Sequence, residues 1–153
     1  MVIGVISDTH GLVRPEALRA LRGADLIVHA GDVGSPDVLH ALAALAPVAA
    51  VRGNNDRGGW ARTLPETRTL EVAGAVLHVV HDLSTLAIDP AADGIDMVIA
   101  GHSHRPLLAR RDGVIFLNPG SAGPRRFSLP VALARVTVRR GRVQGRLVTL
   151  TIR

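Results

Sequence analysis

The chain of 153 residues contains no cysteine and no tyrosine. Without cysteine there can be no disulfide, no thiolate metal ligand and no thiol nucleophile, so a metal ion here would be held through Asp, Asn and His. Aromatic residues make up 2% of the chain, too few for the stacking platforms that single-stranded nucleic acids occupy. Lysine is absent as well: all 18 basic residues are arginine. Beside abundant Ala, Gly and Leu, that bias reads as the codon usage of a GC-rich genome. The net charge of +5 favours anionic partners such as phosphates, but specific nucleic-acid readout is not expected. No apolar run approaches the roughly 18 residues of a membrane span, and the N-terminal apolar run is short and lacks a basic leader. A cytoplasmic protein with no membrane association is the expectation.

What is present is enough apolar sequence, 47% of residues, to build a core as one domain over residues 1–153. The order reads as strand, helix, strand, helix, strand, then mostly strands. Apolar runs Val2–Ile6, Leu26–His29, Val48–Val51, Val76–Val80 and Met97–Ala100 predict strands. Arg14–Leu21 predicts a helix with Pro15 in its first turn and Gly23 as stop signal. Ser35-Pro36-Asp37 caps a second, with Val38, Leu42 and Leu45 on one face until Pro47. Later come Thr67–Ala73 and Ala75–Val80 across Gly74, Val114–Leu117 after a turn at Asp112-Gly113, and Val131–Val138 with Arg142–Ile152 around Arg139-Arg140-Gly141. Early βαβ units followed by hairpins predict two packed sheets flanked by helices. The β-rich tail would permit a homodimer.

Five short segments place oxygen and nitrogen ligands just after the predicted strand ends: Asp8-Thr9-His10, Gly31-Asp32, Gly53-Asn54-Asn55-Asp56, His81-Asp82 and Gly101-His102-Ser103-His104. Each alone reads as an ordinary turn. A parallel-rich sheet would deliver them to one rim, where open α/β sheets bind ligands. In an extended segment His102 and His104 would project to the same side and could each reach one of two neighbouring cations. Imidazole mixed with carboxylate oxygen suits divalent transition ions. His29, His40 and His78 are read as merely solvated.

Together with Asn118-Pro119-Gly120-Ser121, these residues resemble the calcineurin-like metallophosphoesterases, and within them the small, cap-free YfcE-like phosphodiesterases. The resemblance runs from the first residues to about Arg126. It implies an α/β (α+β) fold, a four-layer αββα sandwich. It further implies a pair of divalent metal ions, Mn2+ first, with Ni2+, Zn2+, Fe2+ or Mg2+ as alternatives. Asp8, His10 and His104 would hold one ion, Asn54, His81 and His102 the other, and Asp32 would bridge them. In this family a hydroxide bridging the ions attacks phosphorus in line, while the cations neutralise phosphoryl charge. Two dications, two carboxylates and one hydroxide leave a charge of about +1 (+4 − 2 − 1), suited to an anionic ester.

The implied catalytic group is Asp32, Asn54, Asn55 and His102, with one departure. Asn55 stands where many relatives carry a histidine that protonates the leaving oxygen, and an amide cannot act as a general acid. Aryl or nucleotide esters, with good leaving groups, are therefore the expected substrates. In a second departure, Asp82 follows His81 where the family commonly has glycine, and it is expected to point into solvent. Arg125 and Arg126, with Arg57 as a weaker candidate, could clamp a phosphate through paired N–H donors. Asn118 and the Gly120-Ser121 turn are read as structural. The expected function is hydrolysis of small phosphate diesters. The alternatives are a phosphomonoesterase or nucleotide phosphatase on the same centre, or a binding scaffold, since a eukaryotic retromer subunit has this fold.

Overall fold

The computed structural model describes residues 1–126 and 128–152. Its strands form two five-stranded sheets. In the first, β1 (Val2–Ile6), β2 (Leu26–His29) and β3 (Val48–Ala50) run parallel, and β9 (Ala132–Arg139) pairs antiparallel with β1 and carries β10 (Arg142–Thr149) at the edge. In the second, β5 (Ala75–Val80), β6 (Met97–Ile99) and β8 (Val114–Asn118) run parallel, with β4 (Thr67–Val72) antiparallel at one edge and β7 (Leu107–Arg111) at the other. In the first sheet β9 alone runs against the other four strands, whereas in the second both edge strands, β4 and β7, run against the central three.

Period-2 alternation explains how the layers stack. Ile3, Val5 and Val28 of the first sheet face Leu77, Val79, Met97, Ile99 and Leu117 of the second in a central core. The other side of the first sheet, Ile6, Ile27 and Leu133, is covered by Ala17 and Leu21 of α1 (Pro15–Leu21) and by Val38 and Leu42 of α2 (Pro36–Ala43). The expected αββα sandwich is present, but its fourth layer is thin. The outer side of the second sheet, Val80, Val98, Ala100 and Phe116, is packed by Leu83, Leu86 and Ile88, from the 3-10 turn Leu83–Thr85 and the irregular segment after it.

Both helices begin as expected: Pro15 opens α1, and Ser35 caps α2 by accepting from the Asp37 backbone N–H. The α2 stripe ends earlier than its apolar spacing implies. The helix stops at Ala43 and Leu45 is left exposed, because Pro47 enforces extended backbone just beyond it. Two elements are absent from the sequence reading. One is the edge strand β7, whose leucines and arginines are mostly exposed and show no alternation. The other is α3 (Gly59–Arg62), a single turn that lays Trp60 against the helix-side core.

Candidate metal centre

The candidate ligands occupy the loops that follow the C-terminal ends of five of the six parallel strands: β1, β2, β3, β5 and β6. The loop after β8 supplies Asn118 and Ser121, which brace them: Asn118 Nδ2 donates to Gly101 O at 2.9 Å, and Ser121 Oγ donates to Asp8 O at 2.9 Å. These two residues are structural, as expected.

The loops bend sharply. Asp8, His10, Asp32, His102 and His104 all have φ between 48° and 70°, a left-handed conformation that side-chain-bearing residues rarely hold outside functional sites. Among the described residues, the three other non-glycine residues with positive φ, Ala73, Asp112 and Arg140, lie in turns between paired strands. The backbone at Gly101 passes so close to β1's loop that a Cβ would run into Ser7 Oγ and come within 2.6 Å of Asp8 Oδ2. Gly31, at φ +100°, would put a Cβ 2.6 Å from His81 Nδ1. Any side chain at either glycine would push apart the loops that carry the ligands.

Asp8 sits at the centre and is fully buried. Its Oδ2 accepts from Ser7 Oγ at 2.7 Å and from the His102 backbone N–H at 3.0 Å. Its Oδ1 has no hydrogen-bond donor. Instead Oδ1 faces three imidazole nitrogens: His104 Nε2 at 3.4 Å, His10 Nε2 at 3.9 Å and His81 Nε2 at 4.0 Å. Asp32 Oδ2 lies 3.3 Å from His81 Nε2 and 3.8 Å from His10 Nε2, so it too reaches both sides. Two clusters have ligand atoms within 4.8 Å of one another: Asp8, His10 and His104, and Asp8, Asp32 and His81. Asn54 Oδ1 extends the second, 3.0 Å from His81 Nε2 and 3.2 Å from His102 Nδ1.

All seven expected ligands are thereby brought together. His102 and His104 do not project to the same side of an extended strand, however. Their left-handed backbone turns His104 toward Asp8 and leaves His102, nearly half exposed, beside Asn54 and Asp82. Asp82 is not simply solvated. It accepts from Ser84 N–H and Oγ, capping the 3-10 turn, and its Oδ2 lies 3.7 Å from His102 Nε2.

The donor set fits cations. His81 Nδ1 donates to Ala30 O at 2.7 Å; a carbonyl only accepts, so Nδ1 carries a proton, and Nε2 faces the acceptors Asp32 Oδ2 and Asn54 Oδ1, to which it donates when protonated and beside which it would offer its lone pair to a cation once that proton is lost. A backbone carbonyl that fixes the tautomer in this way is a recurrent support for metal-binding histidines. Burial raises the Asp8 pKa above the carboxylate range. Burial also pushes Asp32 upward, but hydrogen bonds from His81 and Asn55 outweigh it and hold Asp32 well below that range. His81 is raised, because hydrogen bonding to Asp32 and the charges of Asp8 and Asp32 overcome its desolvation. His104 is lowered by burial, with a further push from the charge of Arg126. A buried carboxylate oxygen without a donor, ringed by imidazole nitrogens, is chemically incomplete, and a divalent cation completes it.

Asn55 donates twice to Asp32, from its backbone N–H at 2.9 Å and from Nδ2 at 3.0 Å. Its amide therefore orients the carboxylate. Asp56, buried, accepts from the backbone N–H groups of Val33, Gly34 and Gly53 at 2.9 to 3.2 Å and ties the Asp32 and Asn54 loops together. Arg57, Arg125 and Arg126 are all exposed, and of the three Arg126 acts electrostatically on His104.

Two histidines read as solvated are buried. His78 pairs with Thr69 Oγ1 across the β4–β5 hairpin at 2.8 Å. His29 is fully buried: Nδ1 accepts from Gly31 N–H at 3.1 Å, leaving Nε2–H to donate to Thr9 Oγ1 at 3.0 Å, and Thr9 in turn donates to Val33 O. Burial drives the His29 pKa down to about 3. The sequence signal for this role was a histidine closing an apolar strand two residues before Gly31. His40 is exposed, as expected.

The model of the calcineurin-like phosphoesterase superfamily domain matches residues 1–141. The chain belongs to this superfamily. The chain is 39% identical over 142 residues to a probable metallophosphoesterase of Methanothermobacter thermautotrophicus, covering 85% of this chain and 82% of that protein. Among solved structures, an archaeal phosphodiesterase superposes with a TM-score of 0.79 at 22% identity, over 97% of this chain and 100% of that one. Vps29 of Chaetomium thermophilum superposes with a TM-score of 0.79 at 19% identity, over 99% and 98%. At such identities the two structures show a shared fold.

Proposed function

We propose that this calcineurin-like phosphoesterase is a binuclear phosphodiesterase acting on small phosphate diesters. The observation that carries the reading is Asp8 Oδ1, fully buried, without a hydrogen-bond donor, and aimed at the Nε2 atoms of His10, His81 and His104. Asp8, His10 and His104 would hold one divalent ion, Asn54, His81 and His102 the second, with Asp32 between them. Mn2+ is the first candidate for both. Such a pair supplies, when bound, Lewis-acid charge at the phosphoryl oxygens and a water acidified enough to attack phosphorus at neutral pH.

The chain's own residues set the conditions for that chemistry. Asn55 clamps both oxygens of Asp32 and fixes its direction. Ala30 O fixes a proton on His81 Nδ1 and so reserves Nε2 for an ion. Arg126, whose charge already reaches His104, is the arginine best placed to attract the ester's anionic oxygens. With the Asn55 amide engaged at Asp32 and unable to give up a proton, the leaving group must depart largely unaided. That favours aryl and nucleotide esters over alkyl ones.

The phosphodiesterase named among the solved neighbours supports the choice of diesters. The test is to strip the protein of metal and assay bis-p-nitrophenyl phosphate against p-nitrophenyl phosphate with Mn2+, Ni2+, Zn2+ or Mg2+ returned, and Asp32→Ala in parallel. Metal-restored turnover of the diester, lost in the variant, supports the reading. Preferred turnover of the monoester makes the protein a phosphomonoesterase, and no turnover with any metal leaves a protein-binding role.

A further inference from the structure

The thin fourth layer leaves an opening beside the metal centre. On the first sheet, two helices cover the outward side chains; on the second, only the 3-10 turn and segment 86–95 do so. Where that cover stops, Val98, Ala100 and Phe116 floor a cavity of about 410 Å³, walled by Leu83 and Leu107 and closed toward the centre by His102. Its size falls within the range of small-molecule sites.

Apart from the exposed Arg105 side chain, the polar groups around the cavity are already engaged with one another. Asn118 Nδ2 donates to Gly101 O and to Ser103 Oγ, Asn118 Oδ1 accepts from Gly120 N–H, and Ser103 Oγ also accepts from Arg105 N–H. Asp82 is committed to Ser84 and His102. A sugar or peptide entering here would lose water without gaining equivalent partners. A flat apolar group would cover Leu83, Phe116 and Leu107, above a floor of Val98 and Ala100 that is already buried, and lose little. Because His102 is both a wall of the cavity and a member of the metal centre, a ligand in the cavity lies directly against the place where phosphorus would bind.

We infer that this cavity is the subsite for an aromatic ester group of the substrate, with Ala100 and Leu107 as specificity-determining residues. The inference rests on the phosphodiesterase reading, since it needs phosphorus anchored beside His102.

Calorimetric binding of methylphosphonate, phenylphosphonate and 1-naphthylphosphonate to the manganese-loaded protein tests it, alongside turnover of bis-p-nitrophenyl phosphate. The expected order is naphthyl tighter than phenyl tighter than methyl, with a naphthyl-to-methyl ratio of about tenfold or more from the apolar area buried. Ala100→Leu, which fills the floor, and Leu107→Glu, which charges the wall, should each bring that ratio toward one. The ratio is the readout because a protein that fails to fold binds neither ligand. Equal affinities in a protein that turns over the diester overturn the subsite and leave the phosphodiesterase reading standing. A wild-type protein that neither hydrolyses the diester nor binds methylphosphonate overturns that reading, and the subsite with it.

Discussion

Asp82 and His102 face each other across the mouth of the metal centre, Oδ2 3.7 Å from Nε2, while the other ring nitrogen of His102 lies 3.2 Å from Asn54 Oδ1. The carboxylate sits where it can hold the proton on Nε2 and leave Nδ1 for a metal. Supporting carboxylates of this kind are worth about 10–100-fold in metal affinity. Asp82→Asn is therefore expected to weaken the second of two binding events by about tenfold and to leave the first unaltered, as read by calorimetric titration of metal-free protein with Mn2+. Identical titrations for variant and wild type would reduce Asp82 to a cap for the 3-10 turn.

Asp8 stabilises metal binding at the expense of the metal-free fold. Its pKa is raised by burial, so the folded state holds the Asp8 proton more tightly than the unfolded chain does. The resulting cost is absent below the ordinary value of 3.8, grows as pH rises toward the folded value, and is complete above it. Asp8→Asn removes the titration. At pH 8 the metal-free variant should be more stable than metal-free wild type, with the gap closing toward pH 4. Added Mn2+ should then raise the melting temperature of wild type far more than that of the variant. A variant less stable than wild type at pH 8 without metal would contradict the electrostatics drawn here.

His29 gives the fold an acid limit of its own. With a folded pKa of about 3 against an ordinary 6.5, the unfolded chain binds the extra proton first. Stability contributed by neutral His29 is complete above pH 6.5 and is lost progressively as pH falls toward 3, at up to about 1.4 kcal/mol per pH unit. In His29→Asn the amide oxygen can still accept from Gly31 N–H, but nothing titrates. The variant should start less stable by about 1–2 kcal/mol and lose less as the pH drops from 6.5 to 4. Parallel urea-midpoint curves for the two metal-free proteins would rule the effect out.

Asn55 should govern which esters leave. Wild type is expected to hydrolyse nitrophenyl diesters well and dialkyl esters slowly. Asn55→His restores a group able to protonate a poor leaving oxygen and should raise the alkyl rate by about 10²-fold, with less effect on the nitrophenyl ester. Equal wild-type rates on the two ester classes would show that the leaving group needs no acid.

How far the sequence reached follows from what each element asks of it. Strands β1, β2, β5 and β6 bury both faces and so read as continuous apolar runs, and the ligand segments are visible because each follows such a run. β7 buries neither face well and carries no period. His29 draws its partners, Thr9 and Gly31, from two different loops, which a pattern along one strand does not show. The left-handed turns at His102 and His104 follow a close approach of Gly101 to Ser7, a contact between residues far apart in sequence that no local pattern shows, and there the extended reading of that segment fails. The cavity beside His102 exists because the outer layer is thin there, and nothing in a periodicity marks a missing layer.

The central claim is that two ions act together at one centre built around Asp8. Its most direct test is turnover of bis-p-nitrophenyl phosphate during titration of concentrated metal-free protein with Mn2+. Little activity is expected up to one ion per chain, then a rise between one and two, and a plateau at two. Full activity at a single ion per chain, or an Asp8→Ala variant that reaches the same plateau, would contradict it.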